Sequence, residues 1–86
     1  MDGGDRLVDA EGPEAAASRD ELAEAIEQAV AALPDDLRSA LTLREFEGLT
    51  YEQIAAIMEC PLGTVRSRIF RAREALDRRL GPLLDR

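Results

Sequence analysis

Helix-opening and helix-breaking residues recur along this chain at intervals that leave room for little except short helices. Ser18 and Glu21 stand three apart, as do Thr50 and Gln53. In each pair the hydroxyl accepts from a first-turn amide while the longer side chain reaches back to the cap, the reciprocal pattern of a helix N-terminus. Pro34 ends the first segment and suits the first turn of the next, where its missing N–H is no loss. Asp35 and Asp36 then lie near that positive helix end. Gly48 supplies a left-handed stop. In "ECPLG" (59–63), Pro61 and Gly63 have to make a tight turn, because Glu59 stands where a glycine is often found. Gly81 and Pro82 stop the last segment, which runs from about Thr64 to Leu80. The spacing predicts four helices with apolar stripes: Leu22, Ile26, Ala29, Val30 and Leu33 in the first, and Leu37, Ala40, Leu41 with Arg44 in the second. In the third, Ile54, Ala55, Ile57 and Met58 point inward. The expected fold class is all-α, a four-helix domain.

The core has to be aliphatic. Hydrophobic residues make up 45% of the 86, but aromatics only 3%, namely Phe46, Tyr51 and Phe70. Leu, Ile, Val and Ala suit a helical bundle, and the length suits one small domain. Residues 1–17, "MDGGDRLVDAEGPEAAA", have little periodicity and are expected to be a flexible acidic linker ahead of a domain over 18–86. Their acidic spacing fits no calcium loop: Asp9, Glu11 and Gly12 are out of register, and no bidentate Glu follows. Cys60 is the single cysteine and histidine is absent. Disulfides, a Cys/His zinc site and His-based catalysis are thereby excluded. No nucleophile–base pair or ligand set stands out, so the expectation is a non-enzyme without metal or cofactor. A reduced, cytoplasmic protein is the natural reading. There is no apolar run of the ~20 residues that a membrane helix needs, and the acidic N-terminus is no signal peptide.

The net charge of −7 conceals a segregation of signs. Residues 1–60 carry 15 acidic and 4 basic side chains, whereas residues 61–86 carry 7 basic and 3 acidic. A basic segment on an acidic body suits a polyanion, or alternatively a helix face that pairs with the acidic half of the same chain. The order of elements favours the polyanion. A two-turn helix, a small turn and a longer basic helix make a helix-turn-helix, whose second helix lies in the major groove.

A wheel at ~100° per residue sorts that second helix. Val65, Ile69, Ala72, Leu76 and Leu80 form the buried sector. Ser67, Phe70, Arg71, Glu74 and Arg78 lie opposite, with Arg66 and Arg73 flanking the outer face and Arg68 and Arg79 flanking the core. Phe70 therefore points outward beside Arg71, where it can meet a thymine methyl while Arg71 pairs with a guanine edge. The alternative for Phe70 is packing against a neighbouring helix or the C-terminal tail. Arg66, Arg68 and Arg73 are placed to hold phosphates.

The stretch Leu33 to Asp77, and "CPLGTVRSRIFRARE" within it, resembles region 4 of an extracytoplasmic-function, sigma-E-like sigma factor. The resemblance extends over about Ser18 to Arg86. It implies a winged-helix-like DNA-binding domain without a wing, which reads the promoter −35 element as double-stranded DNA. Arg66, Ser67, Phe70 and Arg71 match the readout positions. Thr42, Arg44, Tyr51 and Arg73 match positions of backbone support. It also implies that the first three helices hold the flap of the RNA polymerase β subunit, and that an anti-sigma factor competes for that surface. The upstream domain by which such factors melt the −10 element has no counterpart in residues 1–17. The chain is thus expected to be a piece of a larger protein or a stand-alone relative, and Met1 does not decide between them. Two other functions fit the same residues: an autonomous helix-turn-helix regulator, and a protein-interaction module that never engages DNA.

Overall fold

Four helices account for the regular structure of residues 18–84, which the computed structural model describes: α1 (Arg19–Ala31), α2 (Asp35–Glu45), α3 (Tyr51–Met58) and α4 (Leu62–Leu84). The linker expected over 1–17 lies outside the described residues. No strand occurs among those that are described, and the domain is all-α as its spacing predicts.

Both reciprocal caps form. The Glu21 amide donates to Ser18 Oγ at 3.1 Å and the Ser18 amide to Glu21 Oε1 at 2.9 Å. Gln53 and Thr50 repeat the exchange at 3.1 and 2.8 Å ahead of α3. Pro34 sits at the N-cap of α2, one position before the expected first turn. Arg38 closes the α1–α2 corner, donating to the Leu33 carbonyl at 2.8 Å while pairing with Asp35. It satisfies a carbonyl that the end of α1 leaves without a helical partner. Gly48, at φ +71°, takes the left-handed conformation expected of it.

α4 packs against each of the other three helices, and α2 also packs on α3. Two small cores result. Ala40, Ile54, Val65 and Ile69 are buried together with Leu43, Leu49, Tyr51, Ala55, Met58 and Cys60 around them. This cluster fixes α3 and α4 on α2. Leu33, Leu41 and Ala72, with Val30, Leu37, Ala75 and Leu76, form the second and attach α1. At ~25 cal/mol per Å² of apolar surface removed from water, these aliphatic clusters are the main source of stability, because no polar side chain is buried among the described residues.

Three expectations are corrected. Pro61 and Gly63 do not make the bend between α3 and α4. Glu59 makes it, in the left-handed region at φ 55°, ψ 51°, while Gly63 lies in the first turn of α4. A side chain there is strained. Gly81 and Pro82 do not end α4, which continues to Leu84. Proline's fixed φ is itself helical, so the backbone continues although Pro82 gives up one helical hydrogen bond, and Leu80 and Leu83 beside it are half-buried. Ile57 is 57% exposed rather than inward. At ~100° per residue, Ile54, Met58 and Ala55 share a sector of ~100°, and Ile57 falls ~60° outside its edge.

Candidate nucleic-acid interface

The α3–α4 corner is a helix-turn-helix whose geometry follows from local chemistry. Glu59 reverses the chain, with the Cys60 amide donating to the Ala55 carbonyl at 3.1 Å. The amides of Thr64 and Val65 then donate to the Pro61 carbonyl at 3.0 and 3.2 Å and open α4. Val65, Ile69 and Ala72 bury the inner face of α4 completely or nearly so. Whatever α4 presents outward is therefore held rigidly.

The outward face carries Arg66, Ser67, Phe70 and Arg71, all exposed, with Phe70 at 67%. Phe70 thus neither joins a core cluster nor covers a neighbouring helix. Neither Arg66 nor Arg71 pairs with a carboxylate among the described residues. Ser67, Arg68 and Arg71 line a shallow polar concavity with Pro61, Gly63, Thr64 and Asp36. Two cations, a hydroxyl and an exposed ring on one rigid helix can meet base edges, where Arg pairs with guanine and an apolar group meets the thymine methyl.

Arg68 stands apart from that group. Its side chain is only a quarter exposed, with Nε 3.7 Å from Asp36 Oδ2 and Nη1 donating to Cys60 Sγ at 3.7 Å. It fastens α4 to the start of α2 and to the turn.

A second cluster assembles residues from three helices. The Arg44 guanidinium lies 5.0 Å from the centroid of the Tyr51 ring, and its Nη1 donates to the Leu49 carbonyl at 2.8 Å. On α4, Arg73 is ion-paired with Glu45, the last residue of α2. The hydrogen bond from Arg73 to Glu45 holds the guanidinium above the ordinary arginine range, with Tyr51 adding a smaller push in the same direction against partial burial. Arg44, Tyr51 and Arg73, expected as backbone contacts, are therefore brought together. Thr42 is not with them. It lines an apolar groove with Arg38, Ser39, Leu43, Ile57 and Met58.

This arrangement of a capped short helix, a left-handed turn and a basic helix locked on an aliphatic core coincides with a known family. The family profile described as "Sigma-70, region 4" matches residues 23–76, from within α1 to the second half of α4. The chain belongs to the sigma-70 region 4 family. Its region 4 domain is similar to part of the RNA polymerase sigma-H factor of Pseudomonas aeruginosa, with 61% identity over 84 residues, 98% of this chain and 44% of that protein. It is also similar to the ECF RNA polymerase sigma-E factor of Escherichia coli K12, with 52% identity over 86 residues, 100% of this chain and 45% of the relative. The sigma-E factor of Salmonella typhimurium LT2 matches to the same extent. The chain spans less than half the length of these curated relatives.

Within this region 4 domain, sequence reasoning missed Glu45 and Asp36 as partners of the basic helix. The segregated charges hinted that the acidic half pairs with α4, but not which residues do so. Among the described residues, Arg68 and Arg73 are paired in this way, whereas Arg66 and Arg71 are not. Helix-crossing pairs of this kind carry no local spacing by which to find them. No helix of the described residues is long and apolar enough to cross a membrane.

Proposed function

We propose that this domain binds double-stranded promoter DNA at the −35 element and serves transcription initiation with RNA polymerase, as part of an alternative sigma factor. The observation that carries the reading is the outward face of α4. Arg66 and Arg71 are unpaired among the described residues, and Phe70 is exposed between them on a helix whose other side is buried. Between two unpaired arginines, an exposed phenyl ring has a use on a base-reading face, where it can meet a thymine methyl. In this reading Arg66, Ser67, Phe70 and Arg71 read bases, and Arg44, Tyr51 and Arg73 support the DNA backbone. Thr42 and Arg68 were expected to join that support. Thr42 now lies by the apolar groove and Arg68 is engaged by Asp36, so Arg68 acts by fixing the angle of α4.

The protein is non-enzymatic in this role and works in the cytoplasm, where its DNA is. Residues 18–86 form the region 4 unit. Its second partner is the flap of the polymerase β subunit, for which the apolar groove beside Ile57 and Met58 offers a surface, and an anti-sigma factor competes there.

Selection of bound sequences from a random duplex pool tests the reading. An asymmetric AAC-containing consensus is expected. A palindromic consensus would instead identify a self-associating regulator, and enrichment of no sequence would identify a protein-interaction module. Binding is expected to be weak and salt-dependent. With roughly four to six phosphate contacts, the log–log salt slope is about −4 to −5.

A further inference from the structure

We propose that Glu45 controls how tightly, and with what salt dependence, the domain holds DNA, by occupying the place of a phosphate against Arg73. The inference rests on the DNA-binding reading above and adds a residue which that reading does not contain.

The cluster around Arg73 has the makings of an anion cradle. It joins the guanidinium of Arg73, the Arg44–Tyr51 stack and the N-terminus of α3. At that terminus the Gln53 amide is taken by Thr50 Oγ1 and the Ile54 amide by the Thr50 carbonyl. The amides of Tyr51 and Glu52 have no acceptor among the described residues. Two free amides at a positive helix end, with Arg44 stacked on the Tyr51 ring and Arg73 on the adjoining α4, suit a phosphate. The position on Arg73 is already taken. Glu45 pairs with it, and both side chains stand about half exposed, at 43% and 51%, so a DNA phosphate can reach the pair.

A carboxylate and a phosphodiester present the same ligand to a guanidinium, two acceptor oxygens sharing one negative charge. Arg73 cannot give its full fork to both. Binding DNA through Arg73 therefore exchanges one ion pair for another. The displaced carboxylate, carried by rigid α2, stays near the incoming phosphate. The result is a domain that contacts DNA while retaining less affinity than its cations alone would supply. Glu47, two residues on and also exposed, makes no pair with α4 and serves as a control for charge alone.

The test is fluorescence anisotropy of the 86-residue chain with a labelled duplex bearing the selected element, across a potassium chloride series. The variants are Glu45→Gln, Glu45→Ala, Glu47→Gln, Arg73→Ala and the Glu45→Gln/Arg73→Ala double. Both Glu45 variants should bind about 2- to 5-fold tighter than wild type, the factor of one exposed ion pair. Their salt slope should steepen by about one. Glu47→Gln should change little, and the gain from Glu45→Gln should vanish in the Arg73→Ala background. Unchanged or weakened binding by the Glu45 variants overturns the inference and makes Glu45 a buttress that positions Arg73. A gain that survives Arg73→Ala, or is matched by Glu47→Gln, overturns it in favour of a general loss of negative charge. If wild type and variants alike bind no duplex, the DNA-binding reading falls too. Equal binding by wild type and Glu45→Gln removes the inference alone.

Discussion

Arg68 Nε lies 3.7 Å from Asp36 Oδ2 and so joins the basic helix to the first turn of α2. The Asp36 side chain is 55% exposed, so the pair is screened and the charge itself is worth little. The Arg68 stem, three-quarters buried, contributes more by covering apolar surface. Arg68→Ala should lower stability by about 1 kcal/mol. In salt titrations of DNA binding it should leave the slope within a few tenths of wild type. A slope reduced by a full unit would restore Arg68 as a phosphate contact.

Glu59 reverses the chain in a conformation that costs a non-glycine residue of order 1 kcal/mol. Glu59→Gly should therefore stabilise the domain, by about 1 kcal/mol at most because glycine also gains freedom in the unfolded chain. For a chain of this size that is a rise in melting temperature of up to about 4–8 °C. A lower melting temperature would mean that the Glu59 side chain stabilises the turn in some way its geometry does not reveal.

What was legible in the sequence was local. Ser18 with Glu21 and Thr50 with Gln53 announce their helices because a capping box needs only four consecutive residues. The buried sector of Val65, Ile69 and Ala72 follows from helical periodicity, and so does the exposure of Phe70 opposite it. The left-handed turn was misplaced: glutamate gives no sign of positive φ even where a glycine is often found, and the breaking residues Pro61 and Gly63 drew the bend past it. The end of α4 was not legible either, since the helix runs through both breaking residues to Leu84. The pairs Glu45–Arg73 and Asp36–Arg68 were invisible for a different reason. They depend on how α2 crosses α4, which no spacing within either helix encodes. At the candidate site, the exposed face of α4 was therefore readable and the electrostatic setting of its flanks was not.

Ile57 is exposed beside Leu43 and Met58 at the rim of an apolar groove. Its side chain contributes little to the fold, so Ile57→Glu should alter stability by no more than about 0.5 kcal/mol. It lies away from the arginine face and should leave duplex binding unchanged. Capture of the purified polymerase β flap should be lost, because an unpaired carboxylate cannot be buried against an apolar helix without large cost. Retained capture with intact folding would move the polymerase-binding surface elsewhere on the domain.

The roles along α4 separate in one set of substitutions. Val65 is fully buried among Ala40, Ile54 and Ile69. Val65→Ala removes two methyl groups and leaves a cavity, which should cost about 2 kcal/mol in thermal or denaturant melts. Val65→Asp should unfold the domain by burying an unpaired charge. Phe70→Ala removes a ring that is 67% exposed and should leave the melt close to wild type. In binding to a permuted −35 set, it should weaken discrimination for thymine, whose methyl the ring is placed to meet. Arg71→Ala should cost about 1–3 kcal/mol of binding and relax preference at one base pair, as loss of a bidentate guanine contact does. Arg73→Ala should weaken binding to all sequences alike, and because Glu45 already offsets this cation, its salt slope should fall by less than the full unit of an unopposed phosphate contact. The decisive comparison is Phe70→Ala with Arg73→Ala on the permuted set. If both weaken every sequence equally, Phe70 reads no base, and the face between Arg66 and Arg71 holds the DNA backbone instead.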